Sequence, residues 1–251
     1  MEARHYDGIE YENSAEMCEK MAAECDTAIL AFSTGKDSIA AWLQLRRYFK
    51  RIVPYYCYIV PGLSFIEDSL KYYEDFFGCH IYRLPHKALL SWVSACVDQP
   101  PNRIAIINEM LYTSDYDESI IGDIIRNCAK LPDAAYVANG IRMADSPFRR
   151  ISIVQHGAIN HNEKRFYPVY DWKKEDLIRA FDESNVKLPV DYRLFGRTFD
   201  GTDYRFLKPI KEEYPEDYQK ILDWFPFAEL EIARRDGIEY IRNSRREVLG
   251  I

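Results

Sequence analysis

Thr27-Ala28-Ile29-Leu30-Ala31-Phe32, followed at once by Ser33-Thr34-Gly35-Lys36-Asp37-Ser38, is the stretch that decides the architecture. The first six residues are apolar throughout, short, and stopped by a Ser-Thr-Gly break, the pattern of a buried strand. Beyond the break, Ile39, Trp42, Leu43 and Leu45 recur at helical spacing over residues 38–49, and Arg46, Arg47, Lys50 and Arg51 supply the basic end that suits a helix C-terminus. The same cycle then repeats. An apolar run from Ile52 to Val60 leads through Pro61-Gly62 into a helix over Ser64 to Phe77, a stop at Gly78, and a strand over Cys79 to Leu84. Strand, helix, strand, helix, strand is the rhythm of a parallel sheet with crossover helices, so the fold class is α/β and Rossmann-like, with helices on both faces.

Upstream, Met17, Cys18, Met21, Ala22 and Cys25 predict a short opening helix with Ser14 as its cap. Downstream, residues 86–130 carry mostly helical pattern broken at Pro100-Pro101, and Ala134 to Ala138 reads as a further strand running into Asn139-Gly140. Past residue 145 the composition shifts toward Arg, Tyr, Asp and Pro. Helices are expected over Lys173 to Asn185, Pro215 to Trp224, and Phe227 to Arg246. This divides the chain into an α/β core over residues 1–160 and a helical or irregular C-terminal segment over 161–251 packed on it.

The chain has 251 residues, 47% hydrophobic, with 19 Tyr and 13 Phe, enough for a packed interior, which excludes disorder and collagen-like structure. A net charge of −7 argues against coating nucleic acid or anionic membrane through the overall field, although a local basic cleft survives that objection. No stretch approaches the roughly 18–20 uninterrupted apolar residues of a membrane helix, and Met1-Glu2-Ala3-Arg4-His5 lacks the order of a signal peptide, so the reading is cytoplasmic. The six cysteines, Cys18, Cys25, Cys57, Cys79, Cys96 and Cys128, show no zinc-ligand spacing and read as reduced, mostly buried thiols. No structural zinc is expected. His80, His86, His156 and His161 likewise show no metal-ligand spacing.

Ser33 to Ser38 has the form of a phosphate cradle. Small residues let backbone amides approach an anion, and a helix N-terminus carries about half a positive charge. Lys36 can pair with the same oxygens, and the Asp37 carboxylate is placed to hold Mg²⁺ that bridges to phosphate. The other reading is a capped helix start, with Ser33 or Asp37 as N-cap and Gly35 turning the chain. Spacing alone leaves both open. The GxxxxGK[ST] and GxGxxG spacings are absent.

Ala31 to Ser38 resembles the SGGxDS loop of the N-type ATP pyrophosphatases, the PP-loop or adenine nucleotide alpha hydrolase superfamily, in the branch that also holds phosphoadenosine phosphosulfate reductases. Val60-Pro61-Gly62 with the following helix is similar to that family's second βαβ unit, although the usual Asp-Thr-Gly is replaced. Gly140-Ile141-Arg142 through Ser146, Arg149 and Arg150 looks like its GxR…S…R segment, and Tyr167-Pro168-Val169-Tyr170-Asp171-Trp172 like its P-x-x-D-W element. The resemblance spans roughly residues 27–225.

That resemblance implies an adenine nucleotide, ATP with Mg²⁺, and attack on the α-phosphorus. Ser33, Thr34, Gly35, Lys36, Asp37 and Ser38 would form the phosphate site, with backbone at Phe32, Ile59 and Val60 near the base and Gly140 beside the nucleotide. Lys36, Asp37, Ser38 and Arg142 are the expected catalytic set, with Asp37 as metal ligand. Ser146, Arg149 and Arg150 would complete the nucleotide site, the alternative for the arginines being ion pairs with carboxylates such as Asp145. Arg193 and Arg197, in Asp191 to Gly201, are the expected substrate contacts; a solvated connector is the alternative. Asp171 and Trp172 read as a helix start and a packing anchor.

Reductases of this branch carry a C-terminal ECGxH-type cysteine, whereas the last cysteine here is Cys128. Lys36 and Ser38, which ATP-cleaving relatives retain, favour ATP. The closely set cysteines of cluster-bearing relatives are absent, so no iron–sulfur cluster is expected. The expected function is ATP-dependent adenylation or α–β cleavage to AMP and pyrophosphate on an unidentified acceptor, with sulfur transfer or nucleic-acid modification as contexts. Relatives of this short, cysteine-poor layout occur in phages and DNA-modification clusters, so a nucleic acid or a sulfur carrier is the expected class of partner, and a homodimer is compatible. A sulfonucleotide reductase and a non-catalytic adenine-nucleotide-binding module are the rival readings.

Overall fold

The computed structural model describes residues 11–109, 116 and 118–249; the reading of Met1 to His5 lies outside them, as do residues 110–115 and 117 of the helical pattern expected over 86–130. In chain order the elements are α1 (Ser14–Glu24), β1 (Thr27–Ala31), α2 (Lys36–Leu45), β2 (Arg51–Tyr58), α3 (Ser64–Phe77), β3 (Tyr82–Pro85), α4 (Lys87–Ser94), α5 (Pro101–Glu109) and α6 (Glu118–Cys128). Then follow β4 (Val137–Asn139), α7 (Pro147–His156), β5 (Ile159–Asn160), β6 (Arg165–Phe166), α8 (Lys174–Ser184), α9 (Val190–Phe195), α10 (Tyr204–Glu213), α11 (Pro215–Trp224) and α12 (Glu229–Leu249). No helix among the described residues is long and apolar enough to cross a membrane.

The chain divides into two units. One gathers the described residues within 1–57, 70–84 and 115–189, the other those within 58–69, 85–114 and 190–251. The division is discontinuous and does not follow the expected boundary: residue 160 lies inside the first unit, and three separate stretches make up the second. Returning segments are invisible to a composition shift, which sees only neighbours in sequence.

The first unit holds a six-stranded, mostly parallel α/β sheet in the order β3-β2-β1-β4-β6-β5. β1 pairs in parallel with β2 on one side and β4 on the other, β4 pairs in parallel with β6, and β5 runs antiparallel to its neighbour β6. β1 is central and covered on both faces, which is why its sequence is apolar without alternation. Ile29, Val53, Tyr55 and Val137 face α6 through Ile121 and Ile125. On another side of this unit Trp42 stacks on Phe77 at 3.9 Å, and Phe32 meets Trp42 and Tyr73 edge-on at 4.8 and 5.1 Å. Such aromatic pairs contribute about 0.5–1.5 kcal/mol each beyond their buried area.

Local chemistry corrects two expected boundaries. The cap of α1 is Asn13, whose side chain accepts the Glu16 N–H at 2.9 Å; Ser14 is the first helical residue, and its N–H donates instead to Asp171 Oδ2 at 3.0 Å. β3 begins at Tyr82 rather than Cys79 because Gly78, at φ +71, ends α3 and the chain is first tied down by Glu74. That carboxylate accepts the Ile81 N–H at 2.8 Å and pairs with Arg83 at 2.5 Å.

The second unit is helical around an aromatic cluster. Phe206 meets Phe195 at 5.0 Å and Phe199 at 5.4 Å, and Phe65 meets Tyr214 at 5.4 Å. Asp217 is fully buried there and caps the first turn of α3 from α11, accepting Ser64 Oγ–H at 2.7 Å and the Phe65 N–H at 3.3 Å while pairing with Lys220 at 2.9 Å. Burial opposes its ionisation, yet these hydrogen bonds outweigh it and hold the carboxyl below its usual range.

Candidate phosphate site at the head of α2

The strand order reverses about β1. The chain lays β2 and β3 on one side and returns to place β4 on the other, so the carboxyl ends of β1 and β4 flank a topological switch point, where open α/β sheets receive ligands. The register pairs Ala31 with Asn139. The Ser33 to Ser38 loop and Gly140 therefore leave the sheet side by side.

That adjacency is tight. A Cβ added to Gly140 would stand 2.6 Å from the Asp37 carbonyl carbon and oxygen and 2.7 Å from the Ser38 nitrogen, closer than real Cβ atoms come. Only a glycine lets the first turn of α2 rest on the β4 end. Gly140 thus shapes the loop from beneath.

The loop is closed on itself by Ser38. Its buried hydroxyl donates to the Gly35 carbonyl at 2.8 Å and accepts the Ser33 N–H at 3.3 Å. Thr34 holds φ +59, a left-handed conformation costly for a β-branched residue, and it is buried with its hydroxyl on the Ser33 carbonyl at 2.6 Å. Glycine stands at this position in the SGGxDS pattern, so a side chain is carried here where glycine is the unstrained choice. Gly35 is the N-cap of α2 in extended conformation and, being glycine, makes no side-chain cap hydrogen bond. The capped-start alternative, with Ser33 or Asp37 as the cap, is not what the chain adopts.

Five charges then alternate in a row. Lys36 Nζ lies 2.6 Å from Asp37 Oδ2, and Arg142 Nε lies 2.7 Å from Asp37 Oδ1. Arg142 Nη2 lies 2.6 Å from Asp145 Oδ1, and Arg149 Nη1 lies 2.6 Å from Asp145 Oδ2. Arg142 is buried and its third contact is the Trp172 carbonyl, 3.3 Å from Nη1. The two arginines therefore hold carboxylates, one of them on the loop itself. Half of Lys36 remains exposed.

The other expected residues are placed as follows. Phe32 is buried, and its N–H is spent on the Tyr55 carbonyl at 2.8 Å. Ser146 caps α7, accepting the Arg149 N–H at 3.2 Å, and Arg150 is exposed on that helix. Asp171 and Trp172 precede α8 and anchor α1 and Arg142 respectively. Ile59 and Val60 are buried and belong to the second unit, as do Arg193, paired with Glu213 at 2.8 Å, and Arg197, paired with Asp200. Asn139, whose Oδ1 is buried and has no hydrogen-bond partner among the described residues, is the residue beside the loop that sequence reasoning gave no role, whereas Asp145 takes the ion-pair role named for it as the alternative. The sequence signals for them are the strand end before Gly140 and the i,i+3 spacing from Arg142.

The first unit also holds a cavity of about 320 Å³ between α1, α2 and α8, lined by residues that include Gln44, Tyr48, Asp171 and Arg179. Among the described residues no group of three or more His, Cys, Asp or Glu could hold a metal ion. Burial pushes the Cys18 thiol well above its ordinary range and Cys79 up to about 11, so neither is a ready nucleophile.

Asp191, beside the expected substrate arginines, is 2% exposed, with Oδ2 accepting the Phe199 N–H at 2.9 Å and Oδ1 without a partner among the described residues. Burial pushes its pKa up to about 6 from 3.8. A raised carboxyl binds more protons folded than unfolded, so stability falls as pH rises from about 4 to about 6, and the loss is complete above that window. Asp191→Asn keeps the acceptor and removes the charge. It should raise the unfolding free energy at pH 8, measured by urea titration, by at most about 3 kcal/mol, and leave stability near pH 4 almost unchanged. An equal effect at both pH values would contradict the assignment.

No model of a known protein family matches the chain, and a search of curated proteins finds no match.

Proposed function

We propose that the Ser33 to Ser38 loop seats the phosphates of an adenine nucleotide and that the protein acts on the α–β bond of ATP, in the manner of the N-type ATP pyrophosphatases whose motifs the chain resembles. The observation that carries this reading is a helix start with glycine as its N-cap at the switch point of the sheet, with Lys36 and Asp37 on its first turn. Amides at such a start favour anions, and their dipoles are fixed before the substrate arrives.

In this reading the acceptor's lone pair attacks the α-phosphorus, and the bond to the α–β bridging oxygen breaks with its electrons leaving on pyrophosphate. Water as acceptor gives AMP and an amine or thiol gives the adenylylated product, each releasing a proton to solvent, while a carboxylate gives the mixed anhydride with no proton to lose. The chain's part is positioning and charge stabilisation, by loop amides and the Lys36 ammonium on the leaving group. Asp37 offers one carboxylate, which fits a Mg²⁺ that comes with the phosphates and keeps most of its waters. When bound, that ion would neutralise charge on pyrophosphate. Arg142 serves by fixing Asp37, because its guanidinium is already committed to Asp37 and Asp145.

The test is to incubate the protein with Mg²⁺ and either ATP or phosphoadenosine phosphosulfate, with and without cell extract, and to separate AMP plus pyrophosphate from ADP plus phosphate. AMP and pyrophosphate are expected. ADP as the sole product contradicts the cleavage site, consumption of phosphoadenosine phosphosulfate alone makes it a sulfonucleotide reductase, and tight ATP binding without turnover makes it a binding module.

A further inference from the structure

Both oxygens of Asp37 are taken by cations of the protein itself. Oδ1 faces Arg142 Nε at 2.7 Å and Oδ2 faces Lys36 Nζ at 2.6 Å. The two cations differ in burial. Arg142 is buried, its side chain 6% exposed, and it is tied to Asp145 and the Trp172 carbonyl as well. Lys36 sits on a flexible four-carbon stem with its side chain 44% exposed. Each oxygen of that carboxylate already faces a cation of the chain, so a divalent cation reaching Oδ2 must compete with the ammonium, and Lys36 engaged on Asp37 is not spending that contact on phosphate.

We propose that the site works by an exchange of partners on one oxygen of Asp37, an inference that rests on the phosphate-site reading above. When a polyphosphate reaches the loop, the Lys36 ammonium leaves Oδ2 for phosphate oxygens, and the divalent cation carried by that polyphosphate takes the vacated Oδ2. Arg142 stays on Oδ1 and keeps the carboxylate aimed. No covalent bond changes and charge is conserved: one cation replaces another on the carboxylate while the ammonium finds a new anion. The consequence is ordered loading. A divalent cation alone competes with an intramolecular ammonium and binds poorly, whereas the same cation delivered with polyphosphate does not, so the pair guards the site against free metal.

The sign of the effect is opposite for the two ligands, and this makes the exchange testable by binding alone. Lys36→Met opens Oδ2 and removes the phosphate's ammonium. Lys36 is half exposed, so the variant should fold. Mn²⁺ alone, followed by the loss of its free-ion paramagnetic resonance signal, should bind Lys36→Met roughly ten- to hundredfold more tightly than the parent protein. Magnesium pyrophosphate, followed by calorimetry, should bind it at least about tenfold more weakly. Adding Asp37→Asn to the variant should abolish the gain in Mn²⁺ affinity, which separates this oxygen from other surface carboxylates.

Unchanged or weakened Mn²⁺ binding in Lys36→Met, with pyrophosphate binding still lost, overturns the exchange and leaves the phosphate site standing. A gain that survives Asp37→Asn overturns it too, because the new ion then lies elsewhere. If the parent protein binds neither magnesium pyrophosphate nor magnesium ATP, the phosphate-site reading falls and the exchange falls with it.

Discussion

Gly140→Ala is expected to lose about 3 kcal/mol of stability and with it the ability to bind magnesium ATP. The added methyl carbon would meet the Asp37 carbonyl carbon and oxygen at 2.6 Å and the Ser38 nitrogen at 2.7 Å. These are backbone atoms on both sides of one peptide bond, so no side chain can rotate away to make room. Either α2 lifts from the end of β4 or the sheet spreads between β1 and β4. Both movements displace the amides of the loop, which must hold their directions to within a fraction of an ångström for charge stabilisation to work. Urea unfolding and calorimetry with ATP check the two effects. A variant with the parent's midpoint would show that the first turn of α2 does not rest on this residue. Gly237 is the matched control, because a Cβ there meets nothing within 4 Å.

Arg142→Ala should cost about 3–5 kcal/mol, the range for removing one partner of a buried ion pair. The guanidinium is shared between Asp37 and Asp145 at 2.7 and 2.6 Å, and its loss leaves two partly buried carboxylates facing each other without the cation between them. Arg142→Lys should recover part of the loss, since an ammonium supplies the charge but cannot fork between Asp37, Asp145 and the Trp172 carbonyl. The decisive measurement is a double-mutant cycle. Asp145→Asn in the Arg142→Ala background should cost much less than in the parent, with a coupling of about 1–3 kcal/mol. Strict additivity would mean that these groups do not share one network.

The first strand and its loop were legible because β1 is covered on both faces and its apolar run needs no alternation to be recognised. The role of Gly140 as a floor was not, since it comes from the parallel register of β4 on β1, which brings residues 139 and 140 beside the head of a helix a hundred positions earlier. The same holds for Arg142. Its sequence shows an arginine near a strand end, and an anion clamp and an ion pair are equally served by that; only the fold brings Asp37 to its Nε. The cap of α1 lay between two adjacent capping residues, Asn13 and Ser14, and was decided by the tie from Ser14 to Asp171 across 157 positions. The second unit escaped a linear reading because its aromatic cluster joins Phe65 to Phe199 and Tyr214, residues that no local periodicity connects.

Nuclear magnetic resonance of the backbone amides tests most directly whether phosphates are received at the head of α2. With magnesium pyrophosphate or magnesium ATP added to labelled protein, the amides of Ser33 to Ser38 should move first and furthest, with a smaller response at Gly140. Shifts that leave Ser33 to Ser38 still while other residues move would contradict the account.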